Sequence, residues 1–237
     1  MSVSPARQKP LRTGEGSDEA PGNRRGIETR RAIDRAATQL FYRFGFHATT
    51  MKMIGNDAQV QAAAIYHWYP NKEALLVHLQ DEFINALKIV VESAVQRQSR
   101  ATFRLAAAVR EHVKFHALHQ QEAFVTDSEI RALTPGPRAD LIRRRDAYQQ
   151  YFQDMILDGI AEGDLSPVDA RVATYAILLQ CTGVSLWFKA TGLLTADEVA
   201  DQHVDLVLGS LHASPQLITD ALASLASRSS SAARLTS

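Results

Sequence analysis

Three groups of side chains have the types and spacing to do chemistry. The first is "AIYHWYPNKEALL", residues 64–76, where Tyr66, His67, Trp68 and Tyr69 stand together before Pro70 and then Lys72. Such a run is either the corner of a helical core or a surface built to touch another molecule. The second is "EHVKFHALH", which sets His112, His116 and His119 at i, i+4 and i+7. One helical face could present all three, which is metal-ligand spacing. No cysteine or acid completes an obvious set, so histidines lining a pocket or an amphipathic face need fewer assumptions, and no metal is expected. The third is Arg138 with Arg143, Arg144 and Arg145, either a solvated run or a group that meets phosphates. Enzymatic signatures are missing: there is no GxSxG, no P-loop and no GxGxxG after a strand. Neither an enzymatic activity nor a cofactor is expected.

The 237 residues suffice for one large domain or two modest ones, and 46% hydrophobic residues support a real core. Charge balances overall at 26 basic and 26 acidic residues, but it is unevenly placed. Between Arg24 and His78 there are eight Arg or Lys against four acids, and the rest is correspondingly acidic. This suggests a basic contact module on an acidic body. The single cysteine, Cys181, allows no disulfide within the chain, fits the cytoplasm and reads as a small buried residue. No apolar run approaches the ~18 residues of a membrane span. Residues 1–24 carry no signal-peptide pattern and read as a disordered arm, as does the stretch from Arg228.

Between the ends the periodicity is helical throughout. Ile33, Ala36, Ala37, Leu40, Phe41 and Phe44 repeat at helical spacing, and Gly45 can end that helix. Thr49 or Thr50 caps a second helix with Met51, Ile54 and Ala58 inside. A turn, Gln59-Val60-Gln61, leads into a short third helix, residues 62–69, which Pro70 ends; Asn71 then caps a long one from Lys72. Further helices are expected at 100–119, 122–133, after the "TPGP" break at 134–137, from the Ser-Pro start of "SPVD" at Ser166 to about Lys189, and from the "TADE" capping box at Thr195 to about residue 212. A weaker amphipathic segment covers 217–225. The expectation is an all-α protein with a helix-turn-helix unit at 25–71, a helical body at 72–213 and a tail at 214–237, partly helical or disordered.

Helix, cap, short helix, tight turn and short helix is the order of a DNA-binding helix-turn-helix. The run "FGFHATTMKMIGNDAQVQAAAIYHWYPNKEALL", preceded by "IDRAATQLFYR", resembles the N-terminal domain of TetR-family transcriptional regulators, through Gly45, Thr49, Thr50, Ile54, Ala58, Val60, Ile65, Tyr66, Lys72, Glu73 and Leu75. Departures are Gln59 at the usual turn glycine, Gln61 at the usual Ser or Thr cap, Gly55 for an alanine, and Trp68-Tyr69-Pro70 for the usual aromatic pair. The resemblance implies a homodimeric repressor on a palindromic operator. Thr50, Tyr66, His67 and Lys72 would hold phosphates, Gln61, Ala62 and Ala63 would meet base edges, and Lys52 would add a contact or remain a solvated charge. Tyr66 and His67 are read as outward, and Ile65, Trp68 and Tyr69 as inward.

"GVSLWFKATGLLTADEVADQHVDLVLGSL" looks like the last helices of TetR regulators of fatty-acid and steroid breakdown, some of which sense acyl-CoA thioesters. That resemblance, with the arginines, puts a large apolar effector, an acyl-CoA first, in a pocket lined by His112, His116, Arg144, Tyr148, Phe152 and Trp187. The last two long helices would pair with their copies, with Gly183 and Val184 allowing close approach and Leu206 and Val207 on the partner helix. The rival reading is a helical small-molecule-binding or scaffold protein that no longer binds DNA.

Overall fold

The computed structural model describes residues 21–235, all helices and connections, with no strand among them. The expected arm at 1–24 lies mostly outside the described residues. Helix α1 already begins at Pro21 and runs to Ala48, with a break at Gly45 (φ 78°, ψ 163°). Ile33, Ala36, Ala37, Leu40 and Phe41 form its buried face. Phe44 does not join them: it is half exposed beside the Arg43 guanidinium, and Phe46 is buried instead. The positive φ at Gly45, open to glycine at little cost, breaks the helical phase and turns the next aromatic inward.

The head continues with α2 (Met51–Asp57) and α3 (Ala62–Trp68). Thr50 caps α2, its side chain accepting from the Met53 amide at 3.2 Å. Thr49 is instead buried, its hydroxyl donating to the Gly45 carbonyl at 2.9 Å. The turn after α2 closes by two bonds, Val60 N–H to Gly55 C=O at 2.9 Å and Gln59 N–H to Asn56 C=O at 3.2 Å. This is the Schellman arrangement, which places Gln59 in the left-handed region at φ 56°. The departure at Gly55 belongs to the same turn, since a Cβ there would sit 2.9 Å from the Val60 carbonyl oxygen.

Asn71 caps α4 (Lys72–Val95) by accepting from the Ala74 amide at 2.8 Å. Leu75 and Leu76 enter the head core with Ile33, Phe41, Ile54 and Ile65, while Phe83, Leu87 and Val91 enter the body core. α5 (Ala101–Leu118) runs through the middle of the body, buried on nearly every side from Leu105 to Val109. Its Arg110 is buried between Asp201 at 2.6 Å and Asp197 at 2.8 Å of α10. α6 (Gln120–Ser128), a 3-10 turn (Glu129–Ala132) and α7 (Pro135–Ala161) follow.

The next start differs from expectation. α8 (Ala170–Thr182) is capped by the Asp169 carboxylate, which accepts from the Val172 amide at 3.0 Å. Ser166 is not the cap: its amide donates to the Leu211 carbonyl at 3.0 Å, tying the Ser-Pro segment to the residue that follows α10. Nor does the helix continue to Lys189: it breaks at Gly183, and a single turn, α9 (Val184–Trp187), follows. Thr195 and Glu198 form the expected capping box of α10 (Ala196–Ser210). α11 (Pro215–Leu235) is helical through the stretch read as disordered from Arg228.

Val184 and Val207 are fully buried within the chain, so neither is free to meet a second copy. The exposed large apolar side chains of α8 and α10 are Val172, Tyr175, Leu179 and Leu206, with Leu179 77% exposed.

An L-residue in the left-handed conformation costs about 1 kcal/mol. Gln59→Gly is therefore expected to raise stability by about that amount and the Tm by roughly 2–4 °C. A thermal melt with an unchanged or lowered Tm would show that the Gln59 side chain compensates for its backbone.

Candidate functional site: a recognition helix and a cavity in the body

Helix α3 has two faces. Ile65 and the following Tyr69 are buried, while Tyr66 (53% exposed), His67, Ala63 and the preceding Gln61 face solvent and Ala62 is half-buried. Trp68, expected inward, is 36% exposed, its ring lying where a Cβ on Gly26 of α1 would touch it. A seven-residue helix has room for one inward stripe, and Ile65 with Tyr69 fills it. Gln61 makes no side-chain cap, so its amide is not spent on the helix it precedes. Thr50 uses an oxygen lone pair as a cap and keeps its hydroxyl proton to donate. Lys52 is exposed on α2.

Lys72 is placed differently from a free phosphate arm. Its ammonium donates to the carbonyls of Phe46 at 2.5 Å and Thr49 at 2.6 Å and lies 4.3 Å from the Phe46 ring centroid. Desolvation lowers its pKa, partly offset by the Glu129 carboxylate. It thus ties the start of α4 to the segment that launches the helix-turn-helix. A second tie runs through Asp34 of α1, which accepts from the Tyr69 hydroxyl at 2.6 Å and lies 3.3 Å from His78 Nε2 of α4. Burial and this carboxylate raise the Tyr69 pKa, keeping the phenol protonated.

The body holds a cavity of about 190 Å³ among α4, α5, α6, α7 and α8. His112, His116 and Tyr148 line it. Phe152 lies behind them, buried, its ring 5.9 Å from that of His112. The other two expected lining residues are elsewhere. Arg144 bonds Asp81 and, at 2.7 Å, Asn85 on α4. Trp187 is 54% exposed and stacks on His203. Arg145, named from the sequence only within the arginine run and not as a pocket residue, lines the cavity together with Asp127 and Thr182, which went unnamed. The signal was present for one of them, since Arg145, Tyr148 and Phe152 stand at i, i+3 and i+7 of α7.

The polar groups around the two histidines can be counted. His116 Nδ1 lies 2.9 Å from the His112 carbonyl, which only accepts, so Nδ1 carries the proton and Nε2 keeps its lone pair. His112 lies 3.0 Å from the Tyr148 hydroxyl and 3.1 Å from that of Thr182. A neutral imidazole donates to one hydroxyl and accepts from the other. The hydroxyl that accepts keeps its own proton. Whichever tautomer holds, the trio leaves one hydroxyl donor for a guest, and His116 leaves one acceptor. The histidine rings stack at 4.1 Å, and among the described residues no cluster of His, Cys, Asp or Glu has metal-binding geometry. A second cavity, about 350 Å³, lies at the joint of α1, α4 and α6, with Asp34 and His78 on its wall and Phe83 shared with the first.

Burial lowers the pKa of both His112 and His116, so the folded protein takes up their protons at lower pH than the unfolded chain. Their contribution is fully present above the unfolded value near 6.5 and is lost progressively as pH falls below it. Tm is expected to drop between pH 7.5 and 5.5, with a smaller drop in His112→Gln. An equal pH slope in that variant would assign the acid sensitivity to other groups.

Comparison with known proteins agrees with this anatomy. Residues 33–79 match the family described as bacterial regulatory proteins, tetR family, and residues 98–211 match the tetracyclin repressor-like C-terminal domain. The HTH-type transcriptional repressor KstR2 of Mycolicibacterium smegmatis is 25% identical over 183 residues, covering 74% of this chain and 86% of that protein. A tetR-family regulatory protein from Rhodococcus RHA1 superposes with a TM-score of 0.73 at 27% identity, over 78% of this chain and 98% of that one. AibR in complex with isovaleryl coenzyme A and operator DNA superposes with a TM-score of 0.69 at 27% identity, over 75% of this chain and 97% of that one. With a head and a body both matched, and in this order, the chain belongs to the TetR family of transcriptional regulators.

Proposed function

We propose that the protein is a non-enzymatic repressor that binds a palindromic operator as a homodimer in the cytoplasm and is released by a hydrophobic effector, first among candidates an acyl-CoA. The observation that carries this is α4, a single helix whose Leu75 and Leu76 pack with the recognition helix and whose Phe83 and Leu87 wall the cavity. The head then comprises residues 25–71, and the body begins at Lys72 and includes the cavity. The complex of AibR with both isovaleryl coenzyme A and operator DNA supports the effector class. A mostly apolar lining in which the histidine cluster offers one donor and one acceptor suits an acyl group with its carbonyl, while the coenzyme would remain at the mouth.

On DNA, Gln61, Ala62 and Ala63 open the recognition helix and meet base edges, while Thr50, Tyr66 and His67 hold phosphates. Lys52 adds charge nearby. Lys72 acts through the backbone it fixes. Mobility shifts on DNA flanking the protein's own gene, with and without an acyl-CoA series, test the reading. The rival without DNA binding would show no shifted species on any such fragment.

Gln61→Ala should relax preference at one base pair per half-site by about 1–3 kcal/mol, whereas Tyr66→Phe should weaken all sequences alike. Uniform weakening by Gln61→Ala would contradict its assignment as a base reader. For assembly, the exposed stripe of Val172, Tyr175, Leu179 and Leu206 is the surface proposed to meet a second copy. Leu179→Arg should shift the sedimenting species toward monomer with little change in helicity. A variant that remains dimeric would place the interface elsewhere.

A further inference from the structure

Among the described residues lining the first cavity, Arg145 carries its one full positive charge and Asp127 its one negative charge. The two are paired: Arg145 Nη2 donates to the Asp127 carboxylate at 2.6 Å and to the Thr126 carbonyl at 2.9 Å, at the end of α6. Both side chains are partly exposed, so the pair adds little to stability and is open to exchange. His112 and His116, held neutral by burial, offer no charge to compete for an anion.

The same turn of chain reaches the head. Two residues past Asp127, the Glu129 carboxylate accepts from the Phe46 amide at 3.2 Å, next to the Lys72 ammonium that holds the carbonyls of Phe46 and Thr49. Those residues immediately precede Thr50, the cap of α2. One short segment, Thr126 to Glu129, is therefore clasped at the cavity mouth on one side and holds the entry to the helix-turn-helix on the other.

We propose that the effector carries an anionic group, a carboxylate or a phosphate, that docks on Arg145 and drives Asp127 off it, loosening the Thr126–Glu129 turn and releasing the Phe46 amide. The inference rests on the cavity being the effector site. A neutral guest would fill the apolar space and leave the Arg145–Asp127 pair intact. With no difference in its interaction with the clasped and released arrangements, it would shift nothing. An anion sharing the guanidinium repels the Asp127 carboxylate, and that repulsion is the differential interaction that a switch needs.

The test uses the full chain with laurate, methyl laurate and lauroyl-CoA. Binding is followed by calorimetry, and exchange of the amides of residues 45–50 by hydrogen–deuterium exchange. Laurate or lauroyl-CoA is expected to bind at least about tenfold more tightly than methyl laurate and to speed exchange at Phe46. The acid alone identifies a carboxylate, the thioester alone a phosphate. Arg145→Gln should abolish the discrimination, Arg145→Lys should restore part of it, and Arg144→Gln should leave it unchanged. Without any ligand, Asp127→Asn should speed Phe46 exchange. Equal binding of acid, thioester and ester by the wild type, or unchanged Phe46 exchange in Asp127→Asn, overturns the proposal. If none of the three probes binds, the assignment of the cavity to an acyl effector falls. That failure is distinct from failure of the clasp, which the ligand-free arm reads alone.

Discussion

One helix belongs to two hydrophobic cores, and the rest of the architecture follows from that. α4 puts Leu75 and Leu76 into the head and Phe83, Leu87 and Val91 into the body. At 24 residues it spans about 36 Å, so a tilt at one end becomes a displacement at the other. The head is too small to bury much apolar surface alone, and it borrows Val125, Leu133 and Leu141 from the body as well. A head that depends on the body for part of its core must respond when the body changes shape.

Polar contacts make that dependence specific. Asp34 gathers the Tyr69 hydroxyl and His78 at one end of the recognition helix, and Lys72 with Glu129 gathers the carbonyls and amide of residues 46–49 before α2. Apolar packing tolerates small slips in any direction, whereas these bonds have direction and short reach. The Arg110–Asp197–Asp201 cluster does the equivalent within the body, fixing α10 on the central helix. The cavity meets this clamping at one place, the Thr126–Glu129 segment that Arg145 holds at its mouth. Burial favours the neutral form of its histidines, the Tyr148 and Thr182 hydroxyls both bond His112, and its ion pair is partly exposed.

Local chemistry made much of this legible. The caps at Thr50, Asn71 and Thr195, the break at Gly45 and the stop at Pro70 each act within a few residues of themselves, so type and spacing sufficed. The outward set of α3 was half legible. Tyr66 and His67 follow from helical phase, but Trp68 depends on how much room Gly26 leaves it. Ser166 misled because its Ser-Pro pair has the form of a helix start, while the bond of its amide to the Leu211 carbonyl comes from 45 residues away in the chain.

The arginines show the limit most clearly. Arg143, Arg144 and Arg145 are adjacent and alike in sequence. On α7 successive residues point about 100° apart, so one pairs with Asp140, one with α4 and one with α6 at the cavity mouth. Likewise Val184 and Leu206 were equal candidates for a subunit interface until packing buried one and left the other out. The sequence by itself determined the helical class, the order of the elements, the helix-turn-helix and its caps, because these arise from interactions over one or two turns. Only the tertiary structure decided which arginine guards the cavity, which apolar face stays uncovered and that Lys72 braces backbone. Those outcomes depend on which neighbour, distant in sequence, arrives at each side of a helix.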